Sequence, residues 1–130
     1  MPTPVETVNA FFAAWSGGIE AMERSIREQL SADCVYENIG LTRTVGPEAA
    51  VALLRMFEPM KKAQRMDVEI VATAAQGDTV LNERIDRVVG HQGELIFTVR
   101  VMGALEVRDG KIVAWRDYFD TIPFASPAAG

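Results

Sequence analysis

Val80-Leu81-Asn82-Glu83-Arg84-Ile85-Asp86-Arg87-Val88 alternates with a period of two, and a second stretch, Val113-Ala114-Trp115-Arg116-Asp117-Tyr118-Phe119, does the same. That period marks half-buried strands, in which side chains two apart share a face. Arg84 and Asp86 therefore point the same way, alongside Val80 and Val88. In the second stretch Asp117 shares its face with Val113, Trp115 and Phe119. A carboxylate set in a row of large apolar groups is costly to bury unless something pairs with it. Arg84 offers a counter-charge and Asp86 a second acid, so these three residues are expected to meet inside a pocket.

Working outward, Thr3-Pro4-Val5-Glu6 opens a helix, with Thr3 as cap, Pro4 in the first turn and Glu6 at the capping-box position. Val5, Val8, Phe12 and Trp15 recur at helical spacing until Gly17-Gly18 interrupts. Ile19, Met22, Ile26 and Leu30 mark a second helix, expected to end near Ser31-Ala32-Asp33. A short strand over 34–38 puts Cys34, Tyr36 and Asn38 on one face. A third helix starts at Gly46-Pro47-Glu48, turns Val51, Leu54 and Phe57 inward and is limited by Pro59.

Strands follow. One runs over 67–75 to the turn Gln76-Gly77-Asp78, then comes the Arg84/Asp86 strand, then the turn Gly90-His91-Gln92-Gly93. Next is a long strand with Leu95, Phe97, Val99, Val101, Leu105 and Val107 on one face, where Gly103 is expected to mark a bulge. Asp109-Gly110 is a hairpin signal that feeds the Asp117 strand. The tail from Thr121, with Pro123 and Pro127, is expected to be loosely held. Helices first and an antiparallel meander afterwards make an α+β fold, a curved sheet cupped by helices around a cavity.

At 130 residues the chain is expected to form one domain, 1–130, large enough for a substantial core. No apolar run approaches the roughly 18 residues of a membrane span, and without a basic stretch followed by an apolar one near Met1 no secretory signal is expected. A net charge of -5 with scattered Lys and Arg argues against nucleic acid or an anionic membrane as partner. The single cysteine, Cys34, excludes an internal disulfide and fits a reducing, cytoplasmic setting. It reads as a small buried apolar residue. His91, the only histidine, lies in a Gly-flanked turn, so Ser-His or Cys-His chemistry has no base, and a lone histidine with dispersed acids makes no metal site.

The residues alone leave alternatives open. Arg84 with Asp86 fits a structural ion pair as well as a catalytic one. Tyr36 fits a core tyrosine, and Asn38 a cap before Gly40. Asp117 between Trp115 and Phe119 is harder to assign to structure, since buried acids are rare unless paired.

Leu81-Asn82-Glu83-Arg84-Ile85-Asp86, Trp115-Arg116-Asp117-Tyr118-Phe119-Asp120 and Tyr36-Glu37-Asn38 together resemble the limonene-1,2-epoxide hydrolase family, within the larger group with the nuclear-transport-factor-2-like (NTF2-like, or SnoaL-like) fold. The resemblance implies an NTF2-like cone: a curved, mixed, mostly antiparallel sheet covered by N-terminal helices and enclosing an apolar pocket. It implies a homodimer formed through the outer sheet face, and hydrolysis of compact apolar epoxides, cyclic or terpene-like, with water and no cofactor or metal. Asp117 would be the general base, with Tyr36 and Asn38 holding its water. Asp86 would be the general acid, and Arg84 would sit between the two carboxylates. The product would be a vicinal diol, with no covalent intermediate.

Chemistry agrees with these roles. Epoxide opening near neutral pH needs a proton donor on oxygen and a nucleophile behind carbon, held together. Two carboxyls serve only if one is ionised and the other protonated, and one cation with two acids sharing one proton has no net charge, as a dry pocket favours. Met22, Met56, Met60 and Met102 are candidate pocket liners. Two other readings use the same pocket: an isomerase or cyclase in which one Asp moves a carbon-bound proton, and a non-enzymatic module that binds an apolar ligand unchanged.

Overall fold

The computed structural model describes residues 1–124. Three helices, α1 (Pro4–Ala13), α2 (Ile19–Gln29) and α3 (Pro47–Met56), accompany six strands: β1 (Leu30–Asn38), β2 (Thr42–Val45), β3 (Ala63–Gln76), β4 (Thr79–Gly90), β5 (Leu95–Arg108) and β6 (Lys111–Tyr118). The strands form one sheet in the order β2-β1-β6-β5-β4-β3. Only β1 and β6 pair in parallel, so the sheet is mixed and mostly antiparallel.

Local chemistry sets α1 in place. Thr3 accepts from Glu6 N at 3.1 Å while Glu6 Oε1 accepts from Thr3 N at 2.9 Å, a reciprocal cap on two otherwise unpaired N–H groups. The helix buries Val8, Phe11 and Phe12, and a following 3₁₀ turn, Ala14–Gly17, adds Trp15. Phe11, Phe12 and Trp15 meet Trp115 of β6 edge to face, with centroids 5.2 to 6.1 Å apart. Tyr36 of β1 stacks on the same Trp115 at 3.7 Å. This aromatic block is the core's centre and the base on which the acidic residues rest. The face of α2 that follows contributes Met22 and Ile26, while its Ser25 hydroxyl donates to Phe11 O at 2.9 Å, tying α2 to α1.

The elements depart from the sequence pattern in six places. Helix α2 stops at Gln29, because Leu30 already adopts extended backbone (φ −80°, ψ 137°) and begins a nine-residue strand. Strand β2 was not expected at all: its side chains alternate between half-buried and exposed, as on a sheet edge, so no apolar row announces it. Strand β3 is longer than the expected 67–75, extending from Ala63 to Gln76.

In β6 the register slips between the pairs Glu106↔Ala114 and Val107↔Ile112, so Val113 is bulged out. Ile112, fully buried, takes the core position that alternation gives to Val113, while Trp115 and Asp117 stay inward. Gly103, by contrast, marks no bulge: it pairs regularly with Asn82 on one side and Asp117 on the other. Finally, the chain after Thr121 is held as far as it is described, since Ile122–Phe124 forms a 3₁₀ turn whose Phe124 ring packs against Phe57, Phe97 and Phe119. The rest of the expected loose tail, 125–130, lies outside the described residues. Among the described residues no helix is long and apolar enough to cross a membrane.

Candidate active site

One row of paired residues crosses four strands: Asn38 on β1, Asp117 on β6, Gly103 on β5 and Asn82 on β4. Neighbouring strands stand about 4.8 Å apart, so Asp117 and Asn82 are separated by two such steps with only a glycine between. Arg84, two residues beyond Asn82 on the same face, lays its guanidinium into that gap. Nη1 donates to Asn82 Oδ1 at 2.9 Å, Nη2 lies 3.0 Å from Asp117 Oδ1, and Nε and Nη2 each reach an Asp86 oxygen at 3.4 Å. A Cβ added at Gly103 would collide with Arg84 Nη1 and come within 2.8 Å of Asn82 Oδ1. The glycine expected to bend the sheet instead makes room for a cation.

Burial of this group is nearly complete: Arg84 is 0% exposed, Asn82 1%, Asp117 4% and Asp86 8%. From above, the Phe12 ring lies 4.3 Å from the guanidinium carbon, a cation–π contact. The Asp117 contact is short but poorly aligned, so Oδ1 is ion-paired while its hydrogen-bonding capacity stays unused among the described residues.

The electrostatics separate the groups. Burial pushes the Asp86 carboxyl up to about 6; Arg84 pulls it down without offsetting this, and the Asp117 charge adds to the push. Burial works against the Arg84 charge, but the two carboxylates outweigh it, and the guanidinium is held above its ordinary value. Burial and then the Asp117 charge raise Tyr36, so its phenol keeps its proton.

Asp86, Asp117, Tyr36 and Asn38 all line one cavity of ≈ 230 Å³, with Arg84 and Asn82 behind the acids. Apart from Thr42, the remaining walls are apolar, among them Trp15, Leu54, Val88, Val101, Phe119 and Phe124. Tyr36 Oη donates to Asn38 Oδ1 at 3.3 Å, and Asn38 Nδ2 donates to Thr42 Oγ1 at 2.9 Å. All five residues singled out in the sequence are thus brought to one place: four at the cavity and Arg84 in contact with both acids.

Two partners were missed. Asn82 shares its face with Arg84 and Asp86 by the same alternation, so its signal was available. Thr42 sits on the edge strand that the sequence pattern does not announce. Of the four methionines expected at the cavity, Met56 is there, joined by Met66. Met22 and Met60 are packed in the core instead, and Met102, half exposed, is directed away from the acids by the alternation of β5. His91 is exposed. Cys34 is fully buried, and burial pushes its thiol up to about 12, which leaves it unreactive. Among the described residues no cluster of His, Cys, Asp or Glu has the makings of a metal site.

Comparison with known proteins finds relatives along nearly the whole chain. Residues 2–127 match the limonene-1,2-epoxide hydrolase catalytic domain. The epoxide hydrolase EphG of Mycobacterium tuberculosis is 41% identical over 91 residues, which are 70% of this chain and only 58% of that protein's length. The structure of an LEH-like epoxide hydrolase from Mycobacterium tuberculosis superposes with a TM-score of 0.70 at 32% identity, over 91% of this chain and 79% of that one. An NTF2-like protein of unknown function from Cytophaga hutchinsonii superposes with a TM-score of 0.69 over 95% of this chain and 96% of its own; at 18% identity it speaks for the fold alone.

Proposed function

The chain belongs to the limonene-1,2-epoxide hydrolase family, and on that premise we propose that it is an epoxide hydrolase converting compact apolar epoxides, cyclic or terpene-like, to vicinal diols in one acid/base step. The observation that supports this best is the convergence of Asp86 and Asp117 on a single apolar cavity, linked from behind by Arg84.

Asp117, ionised beside the guanidinium, takes a proton from a water that Tyr36 and Asn38 hold. That water's oxygen bonds to an epoxide carbon from the side opposite the breaking C–O bond. Asp86 gives its proton to the departing oxygen, so the ring opens to a neutral diol. One proton enters Asp117 and one leaves Asp86, and returning it to Asp86 restores the group for the next turnover. Arg84 remains charged throughout and keeps the two acids at fixed distance, so no cofactor is required. An isomerase on the same fold needs a donor aimed at an enolate, whereas the strongest donor here lies behind the acids.

The matched residues act as one domain, and the proposed setting is the cytoplasm. A homodimer through the outer face of the sheet is supported by Met102 and Tyr118, paired across β5 and β6 and each about half exposed.

Incubation with a panel of cyclic epoxides that includes limonene oxide tests the function. Diols should form, and Asp117→Asn or Asp86→Asn should each lower turnover by at least about 10²-fold. Absence of diol across the panel, or full activity in either variant, would overturn it.

A further inference from the structure

Arg84 carries five N–H donors into a fully buried site, and each needs an acceptor. Asp86 receives two of them at 3.4 Å, long for charge-assisted hydrogen bonds. Asp117 is nearer but out of line. The one short, aligned hydrogen bond of the guanidinium goes to Asn82 Oδ1, at 2.9 Å.

Asn82 stands where alternation otherwise places Val80 and Val88, and an apolar side chain there would bury at no polar cost. Its amide orientation follows from Arg84, because the reverse orientation would set Nδ2 against the Nη1 donor. Nδ2 consequently has no partner among the described residues. A buried amide group in that state costs roughly 1–3 kcal/mol, so the packing of the core gives no reason for the residue. Asn82 does not line the cavity, which rules out a direct role in holding substrate.

Resting on the epoxide-hydrolase reading, we propose that Asn82 is a positioning residue: its side-chain oxygen pins the guanidinium of Arg84 over Gly103, and its neutrality keeps the buried group at one cation and two acids. The charged and titratable groups facing this cluster are Arg84 and Asp86 on β4, Asp117 on β6 and Tyr36 on β1. The other surrounding elements contribute apolar groups or glycine: Phe12 on α1, Trp15 after it, Val68 and Ile70 on β3, and Val99, Val101 and Gly103 on β5. Aspartate at position 82 would give three acids to one cation, and the group would hold a further proton. Leucine would leave Nη1 without an acceptor and free the guanidinium to move from Asp117.

The test compares the parent with Asn82→Asp, Asn82→Leu and Asn82→Thr, by kcat and KM for one cyclic epoxide across pH and by NMR titration of the Asp86 carboxyl. Asn82→Leu should lose about tenfold or more in kcat while KM stays within about twofold, since the residue is off the cavity. Asn82→Thr, which keeps a neutral acceptor, should recover most of that loss. Asn82→Asp should move both the alkaline limb of kcat/KM and the Asp86 midpoint upward by about one pH unit or more. A purely structural role would lower stability without moving the limb. Parent-like kcat in Asn82→Leu, or an unmoved limb and midpoint in Asn82→Asp, would overturn the proposal; if Asn82→Asp fails to fold, the kcat of the leucine and threonine variants decides. No diol from the parent would overturn the epoxide reading instead, and the Asp86 titration, which needs no turnover, would still decide on Asn82.

Discussion

Arg84 Nη2 lies 3.0 Å from Asp117 Oδ1 although the two residues stand on strands separated by a third, because Gly103 on that middle strand presents no side chain. A contact of this kind is usually made between neighbours on a sheet. Here the long arginine side chain spans the missing one, and one guanidinium touches the acids of both β4 and β6.

Gly103→Ala is therefore expected to displace the guanidinium. The added methyl overfills a packed site, at a stability cost of about 1–3 kcal/mol, and misplaces the acids enough to lower kcat by about 10²-fold. Urea unfolding and steady-state kinetics check both; parent-like kcat in a folded Gly103→Ala protein would contradict the arrangement.

The Asp86 carboxyl, pushed up to about 6 by burial, binds its proton more tightly in the folded chain than in the unfolded one. The stability this confers is complete below the ordinary carboxylate range and is lost as pH rises through about 6, a swing of roughly 3 kcal/mol. Urea midpoints measured across this interval should fall with pH in the parent relative to Asp86→Asn. In kinetics the same proton gives kcat/KM an alkaline limb that drops about tenfold per pH unit above about 6.

Helices α2 and α3 are joined by a second buried charge with the opposite sign of linkage. Glu23, 6% exposed, accepts from Arg55 Nη2 at 2.6 Å and Nε at 2.7 Å, and these bonds hold its carboxyl below the usual range. Its stabilisation is present above the ordinary carboxylate value and lost as pH falls through the lowered one. Glu23→Gln should cost about 1–2 kcal/mol near neutrality, because the mostly exposed Arg55 can rehydrate. The difference from the parent, read from thermal unfolding, should close in strong acid.

Phe124 closes the cavity with Phe57 and Phe119, its ring centroid 5.7 Å from the first and 5.3 Å from the second. Phe124→Ala should raise KM for an apolar epoxide by about tenfold or more, matching the loss of one large apolar contact, and should change kcat less. An unaltered KM would place substrate elsewhere in the cavity.

Much of this site was legible before the structure. Alternation in two stretches isolated Arg84, Asp86 and Asp117, because a charge among Val, Trp and Phe is costly unless paired, and that cost is visible in sequence. Asn82 obeyed the same alternation but carries no charge, so it did not stand out from a strand's ordinary polar residues. Thr42 was out of reach: its edge strand buries neither face, and its pairing with β1 depends on tertiary contact. Gly103 was noticed for the wrong reason, since a glycine that bends a strand and one that admits a neighbour's side chain look alike until that neighbour is seen. The Val113 bulge shows the limit of period-two counting, which one extra residue shifts.

Single-turnover hydrolysis in ¹⁸O-labelled water, with enzyme in excess over a cyclic epoxide, tests most directly whether Asp117 acts as a base on water. Direct attack by water puts label into every diol formed on the first turnover and none into the protein. Unlabelled diol from that first turnover, with label appearing in an Asp86 or Asp117 carboxyl, would show that a carboxylate attacked the epoxide itself and would contradict the account.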